Sequence, residues 1–135
     1  MRADALIGPL ADTIELPNFT QFKNESVSFL NHFSVTSPCG PARASLLTGQ
    51  YAMNHRSVRN GTPLAHDTSN LATSLNSKGI EPLLYGYTDT SQDPRMYEQG
   101  DPILTSYEEV LNGFTEAQEM RFDTNKSWKD YLREK

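Results

Sequence analysis

Cys39 is the only cysteine of the chain, and Arg43 follows it within Ser37-Pro38-Cys39-Gly40-Pro41-Ala42-Arg43-Ala44-Ser45-Leu46-Leu47-Thr48-Gly49. A cysteine sulfur is a nucleophile once deprotonated. A guanidinium is a permanent cation with a planar fork of donors. Pro41 suits the start of a helix and Gly49 its end. Ala42, Ala44, Leu46 and Leu47 propagate helix readily. The spacing therefore predicts a short helix from Pro41 to about Thr48, with Cys39 in the turn that enters it. Such an N-terminus offers unpaired N–H groups and partial positive charge. Sulfur, helix N-terminus and arginine together point to chemistry on an anionic ester. The plainer reading is a small structural cysteine with Arg43 on a solvated face.

Three residues separate Cys39 from Arg43, too few to wrap a phosphate as the loop of cysteine phosphatases does. Cys39-x-Pro41-x-Arg43 followed by Leu47-Thr48-Gly49 instead resembles the signature of the sulfatases, in the alkaline phosphatase superfamily. Arg2-Ala3-Asp4, Met53-Asn54-His55-Arg56, Gly86-Tyr87-Thr88 and Asp93-Pro94-Arg95 look like the phosphonate monoester hydrolase branch, as does Glu109 to Phe114 and on to Trp128. The resemblance implies a mainly parallel sheet flanked by helices, in a chain several times longer. On that reading, residues 1–135 are the N-terminal portion of a sulfatase catalytic domain, truncated at both ends.

The resemblance also implies a reaction. Cys39 would be oxidised to formylglycine by a formylglycine-generating enzyme, and its hydrated aldehyde would be the nucleophile. A divalent metal, calcium or manganese, would bind that group and one substrate oxygen as a Lewis acid. Arg43 would hold the diol, and Arg43 with Asn60 would stabilise developing charge. Sulfate esters, phosphonate monoesters and phosphodiesters are the implied substrates. The other metal ligands of the family are expected to be absent from this chain, Asp4 coming too late to be one. His32, His55 and His66 match no catalytic histidine of the family and read as surface or structural residues.

Three pocket positions follow from the same resemblance: Asn60, Tyr87 and Asp89. Asn60 is equally a turn residue before Gly61, and Tyr87 a core aromatic at a strand end. Sulfatases carry lysine and then histidine at the positions of Tyr87 and Asp89, and the phosphonate branch carries tyrosine and threonine. Asp89 departs from both. If it continues a strand, it faces the same side as Tyr87; if the strand has ended, it points to solvent.

The bulk composition narrows the alternatives. With 135 residues, net charge −5 and one cysteine, the chain is neither a basic nucleic-acid binder nor a disulfide scaffold. No apolar run is long enough to span a bilayer and no secretory signal opens the chain, so a cytoplasmic protein without membrane attachment is the expectation. The four Asn-x-Ser/Thr matches are read as chance. Self-association at full length is left open. A hydrophobic content of 36% and a mean hydropathy of −0.60 are lean for a self-sufficient core. Two rivals stand beside the hydrolase: a non-catalytic fragment or binding module of the same fold, and a reactive-thiol protein.

The elements expected to position these residues make an α/β class. Pro17 starts a short helix. Val27 to Val35 reads as a strand. Tyr51 to Leu64 reads as a loop. Thr68 to Lys78 reads as a helix capped by Ser69 and stopped by Gly79. Ile80 to Tyr85 is a second strand, parallel to the first. Ser91 to Phe122 is irregular. Ser127 and Asp130 suggest a capping box for a last helix with Trp128, Tyr131 and Leu132 on one face.

Overall fold

A computed structural model describes residues 4–11, 13–121 and 124–134. Arg2 and Ala3 lie outside the described residues. The chain divides into two compact units at the Phe33–Ser34 junction.

The first unit holds two helices, α1 (Asp4–Ile7) and α2 (Pro17–Asn24), the second with its proline at the start as expected. Lys23 Nζ donates to the Leu6 carbonyl at 2.8 Å and ties the two together. The strand expected over Val27–Val35 does not form; the segment is irregular, with a turn at Leu30 and Asn31. A strand persists only when its N–H and C=O groups are paired. Among the described residues the only paired strands are β1 (Leu83–Tyr85) and β2 (Thr115–Gln118).

These two strands are parallel, Leu83 opposite Thr115 and Leu84 opposite Glu116, with an irregularity before Tyr85 meets Gln118. The α/β class and the parallel pair therefore hold, with different members. β2 lies inside the stretch read as irregular. Thr-Glu-Ala-Gln is a weak strand sequence on its own; Thr115 N to the Pro82 carbonyl and Gly86 N to the Gln118 carbonyl extend the pairing at both ends.

Helix α3 (Cys39–Thr48) begins at Cys39 itself, two residues before the expected start, and ends at Gly49 with φ 68°. Its buried face is small: Gly40, Pro41, Ala44 and Ser45. That face lets neighbouring loops come close. Ala44 packs with Leu64 and Leu111, flanked by Leu47 and Phe114, while Leu46 points outward. A short helix, α4 (Ala52–His55), interrupts the expected 51–64 loop. Helix α5 (Leu71–Asn76) is shorter than expected and is capped by Asn70, not Ser69. Asn70 Oδ1 accepts from the N–H groups of Ala72 and Thr73 while Thr73 Oγ1 accepts from Asn70 N, a complete capping box.

Two 3₁₀ turns (Pro94–Met96 and Pro102–Thr105) follow. Helix α6 (Lys126–Arg133) has Asn125 as its N-cap and starts two residues too early for the box expected from Ser127 and Asp130. Asp130 instead binds Lys126 and Arg133. Trp128 and Tyr131 stack at 6.0 Å on one face as expected. No helix among the described residues is long and apolar enough to cross a membrane.

Asp93 fastens the segment after β1. Its buried carboxylate accepts from His66 N and from the backbone and guanidinium of Arg95. The Arg95 guanidinium, then the His66 N–H, hold its pKa well below the usual carboxylate range. A depressed folded pKa gives stability that is present above the unfolded value and lost as pH falls through the folded one. Asp93→Asn is expected to lower the unfolding midpoint at neutral pH and to weaken its loss below about pH 4. Denaturant melts at several pH values check this; parallel acid limbs in both proteins would contradict it.

Both units leave large apolar side chains in solvent, among them Phe22 and Phe29 in the first and Leu46 and Met53 in the second. Expressed as these 135 residues, the chain is expected to aggregate and to lack hydrolytic turnover. Sharp cooperative unfolding with turnover from that chain would refute this.

Candidate active site

The N-terminus of α3 gathers all five residues singled out from the sequence. Cys39 is exposed at the first helical position. Asn60 Nδ2 donates to Cys39 Sγ at 3.2 Å. The same amide accepts from Gly40 N through Oδ1 at 2.9 Å. Pro38, the N-cap residue, makes no side-chain cap bond. Asn60, twenty residues away in sequence, therefore caps α3 from a distance. Its turn role and its site role are one role.

Gly40 makes this approach possible. A Cβ there would sit 2.9 Å from Asn60 Oδ1, 3.3 Å from Asn60 Cα and 3.4 Å from the Asp89 carbonyl. Gly40→Ala is expected to cost about 1–3 kcal/mol, the usual range for overpacking, and to displace Asn60 from Cys39. Equilibrium unfolding with wild-type stability would show that the loop yields freely.

Arg43 leans from the first turn of α3 toward the segment after β1. Its Nη1 donates to the Tyr87 carbonyl at 3.4 Å. Its guanidinium lies 5.6 Å from the centre of the Tyr87 ring, within cation–π range. Its Nε is 4.0 Å from Asp89 Oδ2. Tyr87 is half-buried, and burial pushes its phenol pKa up against the opposing pull of Arg43. It therefore stays protonated at neutral pH.

Asp89 meets neither sequence expectation. The strand ends at Tyr85, so alternation along a strand does not place it. Yet it does not point to solvent: its side chain is 4% exposed and faces Arg43. The backbone takes φ 61° at this residue, a left-handed conformation that aspartate tolerates. Thr88 fixes the turn, with Oγ1 donating to the Glu109 carbonyl at 2.9 Å and accepting from Leu111 N at 2.8 Å.

The sulfatase family model matches residues 4–129. The chain belongs to the sulfatase family. It is 45% identical over 101 residues to the multifunctional alkaline phosphatase superfamily protein PehA of Trinickia caryophylli, covering 75% of this chain and 20% of that one. The phosphonate monoester hydrolase SpPMH from Silicibacter pomeroyi superposes with a TM-score of 0.89 and 57% identity over 99% of this chain and 26% of its own. The phosphonate monoester hydrolase of Agrobacterium radiobacter gives 0.84 and 42% over 98% and 26%. This sulfatase-family chain thus spans about a quarter or less of the length of these relatives.

Among the described residues of this sulfatase segment, no three His, Cys, Asp or Glu side chains come together to hold a metal. Asp89 is turned to Arg43. These residues do not by themselves make a metal site. Of the histidines, His32 and His66 are exposed and His55 is buried. The sequence reasoning missed Gly40 and Thr88 as residues that shape the site, and Asp93 as the residue that fastens the segment after β1. Asp93-Pro94-Arg95 was visible only as part of the family likeness.

Proposed function

We propose that this chain is the nucleophile-bearing segment of a hydrolase of phosphonate monoesters, related phosphodiesters or sulfate esters. Cys39, oxidised to formylglycine by a formylglycine-generating enzyme, is the nucleophilic residue. The observation that carries the reading is the Asn60 amide donating to Cys39 Sγ at a helix N-terminus that also carries Arg43, within a chain 57% identical to a phosphonate monoester hydrolase.

The modified residue supplies a hydrated aldehyde whose hydroxyl is a better oxygen nucleophile than any unmodified side chain nearby. The chain's own residues do the rest. Asn60 Nδ2, already aimed at the position 39 side chain, donates to a hydroxyl there or to a substrate oxyanion. Its aim is fixed by Gly40 N. Arg43 places a guanidinium one turn along the helix, where it holds the nucleophile and offsets charge on the ester oxygens. Tyr87 offers a protonated phenol beside that guanidinium. Calcium or manganese belongs to the reading as a Lewis acid, and its ligands have to come largely from outside the described residues.

Co-expression of the protein at its natural length with a formylglycine-generating enzyme tests the reading. Peptide mass spectrometry is expected to show the aldehyde, or its hydrazide adduct, at position 39. An unmodified thiol throughout, with the maturation enzyme active on a control peptide, would overturn it.

A further inference from the structure

His55 is buried at the end of α4, between two serines that are also buried. Ser57 N donates to His55 Nδ1 at 3.1 Å. That nitrogen must therefore carry a lone pair, so the ring proton of neutral His55 sits on Nε2. Nε2 is 2.9 Å from Ser45 Oγ, on the buried face of α3, and donates to it. Burial lowers the His55 pKa and keeps the ring neutral at physiological pH. Beyond Ser57 the chain closes on itself: Ser57 Oγ donates to the Thr62 carbonyl at 3.0 Å, and Thr62 N to the Arg59 carbonyl at 3.1 Å. Asn60 lies within this closed loop.

We propose that His55 is a positioning residue for the nucleophile: its ring bridges Ser45 on α3 and Ser57 at the root of the 57–62 loop, and so sets where Asn60 meets Gly40 and Cys39. Helix and loop have no covalent connection shorter than α4 and its flanking turns. Without a cross-tie, the Asn60 amide must find Gly40 N and Cys39 Sγ from a loop free to drift. Imidazole suits the task because one rigid ring offers an acceptor to Ser57 and a donor to Ser45.

The proposal concerns geometry at residue 39 and is tested without turnover, on protein made without a maturation enzyme. Its failure is therefore separable from failure of the formylglycine reading, which mass spectrometry decides. The probe is the amide of Gly40, whose N–H is bonded to Asn60 Oδ1. Its exchange is followed at single-residue resolution in the natural-length protein. His55→Asn places an amide oxygen near Nδ1, and His55→Gln places an amide nitrogen near Nε2.

Exchange at Gly40 is expected to be about tenfold or more faster in His55→Ala, matching Asn60→Ala, while the Asn70-capped amide of Thr73 in α5 stays unchanged. His55→Asn, which keeps only the Ser57 end of the bridge, and His55→Gln, which keeps only the Ser45 end, are each expected to recover protection only in part. Ser57→Ala, which opens the loop without touching the ring, is expected to fall between. Equal protection of Gly40 in all variants would overturn the proposal. So would full protection in either His55→Asn or His55→Gln, because one end of the bridge would then be dispensable. If His55→Ala does not fold, the Asn, Gln and Ser57→Ala variants decide.

Discussion

Cys39→Ala is expected to abolish turnover by the natural-length protein, a loss of roughly 10⁴-fold or more as for removal of other covalent nucleophiles. The fold should survive it. The side chain is exposed, and among the described residues it accepts a hydrogen bond from Asn60. Unfolding midpoints of wild type and variant should therefore agree while kcat falls. Arg43→Lys is a graded companion. It keeps the charge but loses the planar fork that reaches both the Tyr87 carbonyl and the Asp89 side, and a loss of about 10²-fold in kcat is expected. Retained turnover in Cys39→Ala would place the nucleophile elsewhere and dismiss the role given to this helix start.

Much of this site was legible because it is local. Pro41, Arg43 and Gly49 announce a helix and its end within thirteen residues, and Cys39 is fixed by that register. Helix α3 starts two residues early because Pro38 and the distant Asn60 serve as its cap, and no local rule reports a cap twenty residues away. The Val27–Val35 segment failed for the converse reason. Its alternating apolar side chains describe what a strand would bury, while its backbone finds no ladder partner among the described residues. β2 is the mirror case, a polar four-residue segment made a strand by β1. His55 reads in sequence as a lone histidine; only the fold shows that it lies between Ser45 and Ser57. The family likeness pointed to Asn60, Tyr87 and Asp89 without saying how they sit, and for Asp89 neither geometric guess was right.

Asp89 controls the second large expected effect, on substrate charge. A pocket that takes singly charged esters must discriminate against a phosphate monoester, which carries close to one charge more. On the family resemblance Tyr87 would stand where sulfatases place lysine, and a neutral phenol that burial keeps protonated would then replace one cation. Asp89 Oδ2, 4.0 Å from Arg43 Nε, offsets part of the remaining cation. Two unit charges at about 4 Å interact by roughly 4 kcal/mol at an effective dielectric near 20. Arg43 is 45% exposed, and solvent screening of so open a group leaves only about 1 kcal/mol or somewhat more. The ratio of kcat/KM for a phosphonate monoester over a phosphate monoester is then expected to fall about tenfold in Asp89→Asn, since 1.4 kcal/mol is a factor of ten. Asparagine is the right probe because it accepts the left-handed φ of 61°, whereas β-branched threonine would add backbone strain. The comparison is made between pH 7.5 and 8.5, where the phosphate monoester is fully a dianion (second pKa about 6). Wild type and variant should differ little in KM for a neutral carboxylic ester and strongly for the dianion. If the ratio for the two anions is unchanged in Asp89→Asn, the carboxylate is a structural partner of Arg43 alone and substrate charge is selected elsewhere in the protein.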